Sequence, residues 1–223
     1  MKKFLTLILG GLMALSFGAL AGCDLLGGAN NSGEEEIKGV EVTEEQWELA
    51  IADVTFDNVS FTQKGESTTT QNGTSMNLIE DIWVKITEDQ FSYGGKVTNK
   101  ATGQVAQVEE QTLPSSLASG LRTTYTKIFM SVLAEKDKFV YNAELGAYTL
   151  SETVIVEQSN GYQTAREEID SGKAIFNEQG YLVAFSCHLY ETDVRSGELY
   201  TSYDANITWT FSEYGTTVIT PAA

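Results

Sequence analysis

Histidine and cysteine are almost absent from this 223-residue chain. His188 is the only histidine, and Cys23 and Cys187 are the only cysteines. Protein zinc sites are built mainly from these two residue types, so such a site here would need several carboxylates as well. The helical metalloprotease motif is also missing. We therefore predict neither a metal site nor a cofactor.

Positive charge is scarce too. The chain has 14 Lys and Arg residues against 31 Asp and Glu residues, a formal net charge of −17. This charge opposes binding to nucleic acid, whose affinity comes mainly from neutralised phosphates, and it opposes adsorption on anionic lipid. Strong like charge favours a soluble monomer. We predict a monomer that does not bind nucleic acid, with a cationic partner as an alternative.

Sequence motifs for catalysis are also missing. The chain has no phosphate-binding glycine loop, no nucleophile elbow and no EF-hand loop. Cys187 and His188 are adjacent in a predicted strand, so their side chains point to opposite faces and cannot form a nucleophile–base pair. We predict that Cys187 is a core residue, that His188 is on the surface and that the protein is not an enzyme. A hydrolase with two acids paired in space, as in glycosidases, is an alternative.

The amino-terminal residues have the anatomy of an export signal. Lys2-Lys3 precede an apolar run from Phe4 to Phe17, and Leu20-Ala21-Gly22-Cys23 follows. This tetrapeptide resembles the lipobox of bacterial lipoproteins. The rival interpretation is a retained transmembrane helix, which needs about 20 mostly apolar residues. Against it, the uncharged run contains four glycines and is not followed by a basic flank.

The resemblance implies a lipidated and exported protein. Leu20, Ala21 and Gly22 would be the signal-peptidase recognition residues, and Cys23 would receive a diacylglyceryl group and begin the mature chain. Two acyl chains suffice for stable attachment to a membrane. The expected location is the outer face of the cytoplasmic membrane, or the outer membrane. Cys187 would then be the only unmodified thiol, so no intramolecular disulfide could form.

Three parts of the chain follow from this interpretation. Residues 1–22 are the signal peptide, residues 23–40 are the lipidated cysteine and a flexible acidic tether, and residues 41–221 are a single domain. The tether is rich in Gly, Asn, Ser and Glu and cannot bury apolar surface. Roughly 180 residues remain for the domain, enough for one hydrophobic core.

Hydrophobic periodicity predicts two helices and an antiparallel sheet. Thr43 and Gln46 form a capping box before a helix whose buried stripe begins at Trp47. A second helix is predicted from about residue 116 to 134, and residues 103–116 are ambiguous. Strands are predicted at 59–61, 67–70, 78–86, 91–97, 139–141, 148–156, 173–176, 181–190 and 199–211. The fold class is therefore α+β, with an antiparallel sheet packed on about two helices.

The order of these elements is similar to that of the LolA/LppX-like envelope lipoproteins. So is the ending Trp209-Thr210-Phe211-Ser212-Glu213-Tyr214-Gly215, followed by Val218-Ile219. In that family a curved antiparallel sheet folds over helices and can enclose an apolar cavity for acyl chains. The resemblance implies a cavity lined by Trp47, Trp83, Tyr125, Phe129 and Trp209. The alternative is that these side chains simply fill the interior.

The function expected from these observations is non-catalytic. The chain would be a membrane-anchored extracytoplasmic lipoprotein that binds an apolar ligand or lipid between sheet and helices. The alternative is a protein-interaction or structural lipoprotein of the cell envelope with a filled core and no ligand.

Overall fold

A computed structural model describes residues 37–52, 56–71, 73–114, 126, 129–159 and 162–219. The predicted signal peptide, Cys23 and most of the predicted tether lie outside these residues, as does Tyr125. Of the described helices, none is both long enough and apolar enough to cross a membrane.

The described residues contain one curved sheet of ten strands, all paired antiparallel. The strands are β1 Val59–Gln71, β2 Thr74–Ile86, β3 Gln90–Asn99, β4 Val105–Pro114, β5 Phe139–Asn142, β6 Ala147–Leu150, β7 Val154–Ser159, β8 Gln163–Phe176, β9 Leu182–Arg195 and β10 Glu198–Ser212. Their order is β4-β3-β2-β1-β10-β9-β8-β6-β5, and β7 pairs with β8. The predicted α+β class is confirmed.

The first helix, α1, runs over Glu44–Ala50 and begins with the predicted capping box. The Thr43 hydroxyl accepts from the Gln46 backbone, and the Gln46 side chain accepts from the Thr43 backbone. Of the second predicted helix the structure describes residues 126 and 129–134; residues 126 and 129–133 are helical and Ala134 lies in a turn. A 3₁₀ turn over Lys136–Lys138 then leads into β5.

The first and last strands of the described sheet pair with each other near its centre. β1 and β10 are in register from Ser60 opposite Ser212 to Gln71 opposite Thr201. The two strands approach closely at Gly65, where a Cβ atom would lie 2.5 Å from the carbonyl oxygen of Asn206. A side chain at residue 65 would therefore push β1 away from β10.

Strand β8 is much longer than the predicted strand over residues 173–176. It contains a bulge at Ser171, whose φ is 53°, and its register with β9 shifts between Asp170 and Lys173. The bulge moves the buried side chains from odd positions such as Ile169 to even positions such as Ala174. The alternation is broken there, so the first half of the strand was not predicted.

Two other predicted strands also differ from the structure, and the segment left ambiguous contains a strand. The span 148–156 divides into β6 and β7, which pair with different halves of β8. Residues 67–70 are the end of β1 and not a separate strand, and they pair with β2 and β10. The ambiguous segment 103–116 contains β4, an edge strand in the described sheet.

The main core lies on one face of the sheet, and a small second cluster of Ala147, Ile175 and Ala184 lies on the other. We call the face of the main core the inner face, because its side chains are buried against α1 and residues 129–133; the opposite face is the outer face. Trp47 of α1 packs against Phe139, Tyr148 and Phe176 at ring distances of 5.4, 5.0 and 4.8 Å. Its indole N–H donates to the Leu133 carbonyl at 2.9 Å. This bond joins α1 to the second helical segment above the sheet.

The chain is already docked onto the sheet before α1. The backbone N–H of Gly39 donates to the Gly146 carbonyl, and that of Val40 donates to the Phe176 carbonyl. The Tyr148 hydroxyl bonds both backbone groups of Val42. The docked part of the chain therefore includes residues 39 and 40, which the sequence assigned to the tether.

Candidate functional site

The structure brings three of the predicted cavity-lining residues to the inner face. Trp47, Phe129 and Trp209 are each 1% exposed or less. Trp83 does not join them, because it alternates with the buried Ile82 and Val84 of β2 and so lies on the outer face. Tyr125 lies outside the described residues, as do Cys23 and the recognition residues Leu20, Ala21 and Gly22.

Aromatic contacts join these inner-face residues to one another. Phe129 lies 6.0 Å from Trp209 and 5.1 Å from Phe211, both edge-on. Trp209 also stacks on Phe185 at 5.8 Å. Such offset and edge-to-face pairs stabilise beyond the area they bury, by about 0.5–1.5 kcal/mol each. This end of the inner face is a tightly packed aromatic cluster.

A polar network lies next to the aromatic cluster, on the same face. Glu80 of β2 is 3% exposed, and its carboxylate accepts from Ser67 at 2.6 Å, Tyr203 at 3.0 Å and the Gln63 amide at 3.1 Å. The Gln63 oxygen accepts from the Trp209 indole at 3.1 Å. Three donors thus converge on one buried carboxylate, and the indole orients one of them.

Burial and hydrogen bonding oppose each other at Glu80. Loss of solvent raises the pKa of its carboxyl, while the hydrogen bonds from Ser67, Tyr203 and Gln63 lower it, and the net pKa is raised. The pKa of Tyr203 is also raised well above its ordinary value, first by burial and then by the neighbouring Glu80. The network is therefore a costly polar feature in an apolar interior.

Two buried polar atoms beside this network lack a hydrogen-bond partner in the described structure: Thr69 Oγ1 and Asp193 Oδ1. Thr69 lies opposite Tyr203 on the neighbouring strand, and Asp193 lies opposite Thr201. Asp193 is 2% exposed, and its other oxygen accepts from Arg195. Buried polar atoms are nearly always paired, so an unpaired one suggests a site for water or a ligand.

The sequence contained a signal for this network. Glu80 has the same parity as the apolar residues Leu78 and Ile82 in the predicted strand over residues 78–86. A carboxylate within an apolar stripe indicates either a buried hydrogen-bonded acid or a functional site. Its partners could not be inferred in the same way, because they depend on the pairing of β1 with β10.

Cys187 and His188 lie on opposite faces, as the strand alternation predicts. The Cys187 thiol is buried, and burial, with a smaller contribution from Asp170, raises its pKa to about 12. His188 is on the outer face between two carboxylates: Nε2 lies 2.9 Å from Asp204 and Nδ1 lies 3.2 Å from Asp170. An unionised thiol with no base beside it is a poor nucleophile.

Two clefts lie on the outer face. One, of about 670 Å³, is lined by side chains that include Lys64, Ile79, Ser186, Asn206 and Thr208. The other, of about 390 Å³, is lined by Trp83, Gln107 and Glu110 together with glycines of β3. In the described part of the chain, no group of three or more His, Cys, Asp or Glu side chains could hold a metal ion.

The position of His188 predicts a pH-dependent stability. Hydrogen bonds to Asp204 and Asp170 raise its pKa, against the opposing effect of partial burial. Because the pKa of His188 is higher in the folded than in the unfolded protein, protonated His188 stabilises the fold. This stabilisation is complete below the unfolded pKa of about 6.5 and disappears as pH rises through the folded pKa. His188→Gln should therefore lower the free energy of unfolding more at about pH 5.5 than at about pH 9.

Urea denaturation at the two pH values measures this effect. His188 is the only histidine in the chain, so a pH-dependent difference in unfolding free energy between wild type and His188→Gln can be assigned to this residue. Ser186→Ala, on the same strand and face, is the control and should show no such pH dependence. An equal effect of His188→Gln at both pH values would contradict the assignment.

Comparisons with known proteins give distant structural likenesses only. No family model and no curated protein matches the sequence. An S-type phycobiliprotein lyase from Guillardia theta covers 76% of this chain and 96% of its own, with 8% identity and a TM-score of 0.32. A DUF1329 family protein from Desulfovibrio piger covers 80% and 94%, with 10% identity and a TM-score of 0.21. Likenesses at this level assign neither a family nor an activity.

Proposed function

We propose that this chain is a membrane-anchored extracytoplasmic lipoprotein with a non-catalytic domain that binds an apolar ligand on the inner face of its sheet. The lipobox-like Leu20-Ala21-Gly22-Cys23 supports the anchor. The docking of the chain from Gly39 onward leaves residues 24–38 as the tether between lipid and domain.

The observation that carries the binding proposal is the pair of unpartnered buried atoms, Thr69 Oγ1 and Asp193 Oδ1. They lie on the inner face at the polar end of the sheet, while Phe129 and Trp209 form its apolar part. An elongated ligand with an apolar body on the aromatic side would place its polar end beside these two atoms. Its polar group would then supply the hydrogen bonds that the protein does not.

The charges of this region limit the polar group of the ligand. Asp193 Oδ1 is a carboxylate oxygen and accepts hydrogen bonds. The cation beside it, Arg195, is already paired with Asp193 Oδ2 at 2.9 Å, so an anionic head group would have to compete with Asp193 for it. A neutral hydroxyl-bearing head group, as in a monoacylglycerol, is the best match.

The state of the two candidate catalytic residues supports a non-catalytic role. The Cys187 thiol is buried and protonated, and both ring nitrogens of His188 are occupied by carboxylates. Neither side chain is available to attack a substrate or to accept its proton.

A protein-interaction module with a filled core is the second candidate. The contacts of Phe129 with Trp209 and Phe211 favour it, because rings at 5–6 Å leave little space between them. Edge strand β4, whose side chains are mostly exposed, would then pair with a partner strand.

Lipidation of Cys23 is tested by metabolic labelling. The full chain, expressed in a bacterial host with tritiated palmitate, should incorporate label, and Cys23→Ser should not. Cys187→Ser is the matched control and should be labelled like the wild type. Unlabelled wild type, or labelled Cys23→Ser, would remove the anchor from the proposal.

Ligand binding on the inner face is tested with N-phenyl-1-naphthylamine, a dye that fluoresces in apolar sites. The buried core residues that the structure describes lie between Val42 and Phe211, so a chain starting at Asp24 retains them and needs no detergent. Dye fluorescence should rise saturably and fall when monopalmitoylglycerol is added. Palmitate should displace the dye less well, because its carboxylate would have to compete with Asp193 for Arg195.

The variant Thr69→Val tests the location of the site. It removes an unpartnered hydroxyl without changing the side-chain shape, and should weaken displacement by monopalmitoylglycerol about two- to tenfold, the value of one hydrogen bond. Thr62→Val, on the outer face of the same strand, should change nothing. No dye signal at all would favour the filled core. If monopalmitoylglycerol displaced the dye equally well from Thr69→Val and Thr62→Val, the proposed site would be contradicted.

A further inference from the structure

Trp83 is an aromatic side chain that the inner-face site does not use. It projects from the outer face of β2, opposite Gly94 of β3. A Cβ atom at Gly94 would lie only 2.7–3.1 Å from three atoms of the indole. The missing side chain therefore lets the indole lie directly against the β3 backbone. On its other flank the neighbour in β1 is the exposed Thr62, and the ammonium of Lys85 on β2 lies over the ring, 5.9 Å from its centroid.

Several polar groups around this indole have no partner in the described structure. The Trp83 N–H donates to no described acceptor, and the side chains of Gln107 and Glu110 on β4 make no described hydrogen bond or ion pair. All three residues line the smaller cleft, of about 390 Å³. This volume is within the usual range for ligand sites, about 300–1,000 Å³. The cleft thus combines an aromatic ring with unused donors and acceptors.

The two outer clefts meet at one ion pair. Asp81 and Lys96 line both of them, and their charged groups lie 3.6 Å apart. Beyond this pair the larger cleft continues across the sheet, with Thr98, Asn206 and Thr208 among its lining residues. The result is one groove across several strands, with an indole in one cleft and hydroxyl and amide groups in the other.

We propose that this outer groove binds a neutral oligosaccharide, with Trp83 as the stacking platform. One face of a pyranose ring carries axial C–H groups that pack on an aromatic ring, while its hydroxyls are both donors and acceptors of hydrogen bonds. Gln107 and Glu110 supply such partners in the smaller cleft, and Asn206 and Thr208 supply them in the larger one. A groove that joins two clefts suits a chain of sugars better than a single unit.

The charges along the groove favour a neutral ligand. Lys96 is paired with Asp81, and His188 lies between Asp170 and Asp204. The chain as a whole carries a formal charge of −17, which repels anionic polysaccharides. A neutral sugar avoids this repulsion and can still bond the exposed polar groups. The groove is separate from the inner-face site, because it lies on the opposite side of the sheet.

Saturation-transfer NMR tests this proposal with maltotetraose and chitotetraose as probes. The full lipidated chain is held in an amine-oxide detergent, whose head group contains no sugar. At least one probe should receive saturation at millimolar concentration, strongest at protons on one ring face. Its titration should quench tryptophan fluorescence with the same dissociation constant.

Substitutions assign the binding to the groove. Trp83→Ala should raise the dissociation constant at least about tenfold, and Trp83→Phe should raise it less because a flat ring remains. Gln107→Ala, at an exposed position that leaves the fold intact, should weaken it about two- to tenfold. Tyr162→Ala removes an aromatic side chain that is 82% exposed, outside the groove, and is the matched control.

Loss of binding in Trp83→Ala and Gln107→Ala, with Tyr162→Ala unchanged, supports the saccharide site. If circular dichroism shows that Trp83→Ala does not fold, Trp83→Phe and Gln107→Ala decide in its place. Failure of both probes to bind the wild-type chain overturns the proposal. Equal affinity of wild type and the folded groove variants also overturns it.

Discussion

The pairing of β1 with β10 is the constraint on which the rest of the structure depends. On one side of this pair the sheet continues from β1 through β2 and β3 to β4, and on the other side from β10 through β9 to β8. The β1–β10 ladder therefore joins the two halves of the sheet. The close approach at Gly65 permits it, since a side chain there would meet the Asn206 carbonyl. Its register also decides which side chains from distant parts of the chain share a face.

Both candidate sites follow from that register, one on each face. On the inner face it places Gln63 of β1 against Trp209 of β10 and, through β2, gives Glu80 its donors. On the outer face it connects the strands that line the groove from Trp83 to His188. A single strand carries both kinds of side chain in alternation, so the sheet can separate an apolar interior from a polar binding surface.

The sequence predicted most of the fold and little of the sites. The alternation of apolar and polar residues predicted β10 almost completely, because buried and more exposed positions alternate without interruption from Tyr203 to Phe211. It failed at β8, where the bulge at Ser171 reverses the parity of the buried positions. Parity alone puts Glu80 and Trp83 on opposite faces of β2, although the predicted cavity lining included Trp83. Their partners could not be placed in this way, since those lie on other strands and depend on long-range register, which a single sequence does not encode locally.

Disulfide trapping between β1 and β10 tests the central pairing most directly. In a Cys23→Ser background, with Cys187 buried, the pair Thr62→Cys and Thr210→Cys stands directly opposite across the ladder. Opposed antiparallel residues have Cα separations of about 4.5–5.5 Å, which a disulfide can span. The account predicts rapid oxidation of this pair without loss of the fold, and much slower oxidation when Thr208→Cys replaces Thr210→Cys. Equal rates for the two pairs, or failure of the first to form, would contradict it.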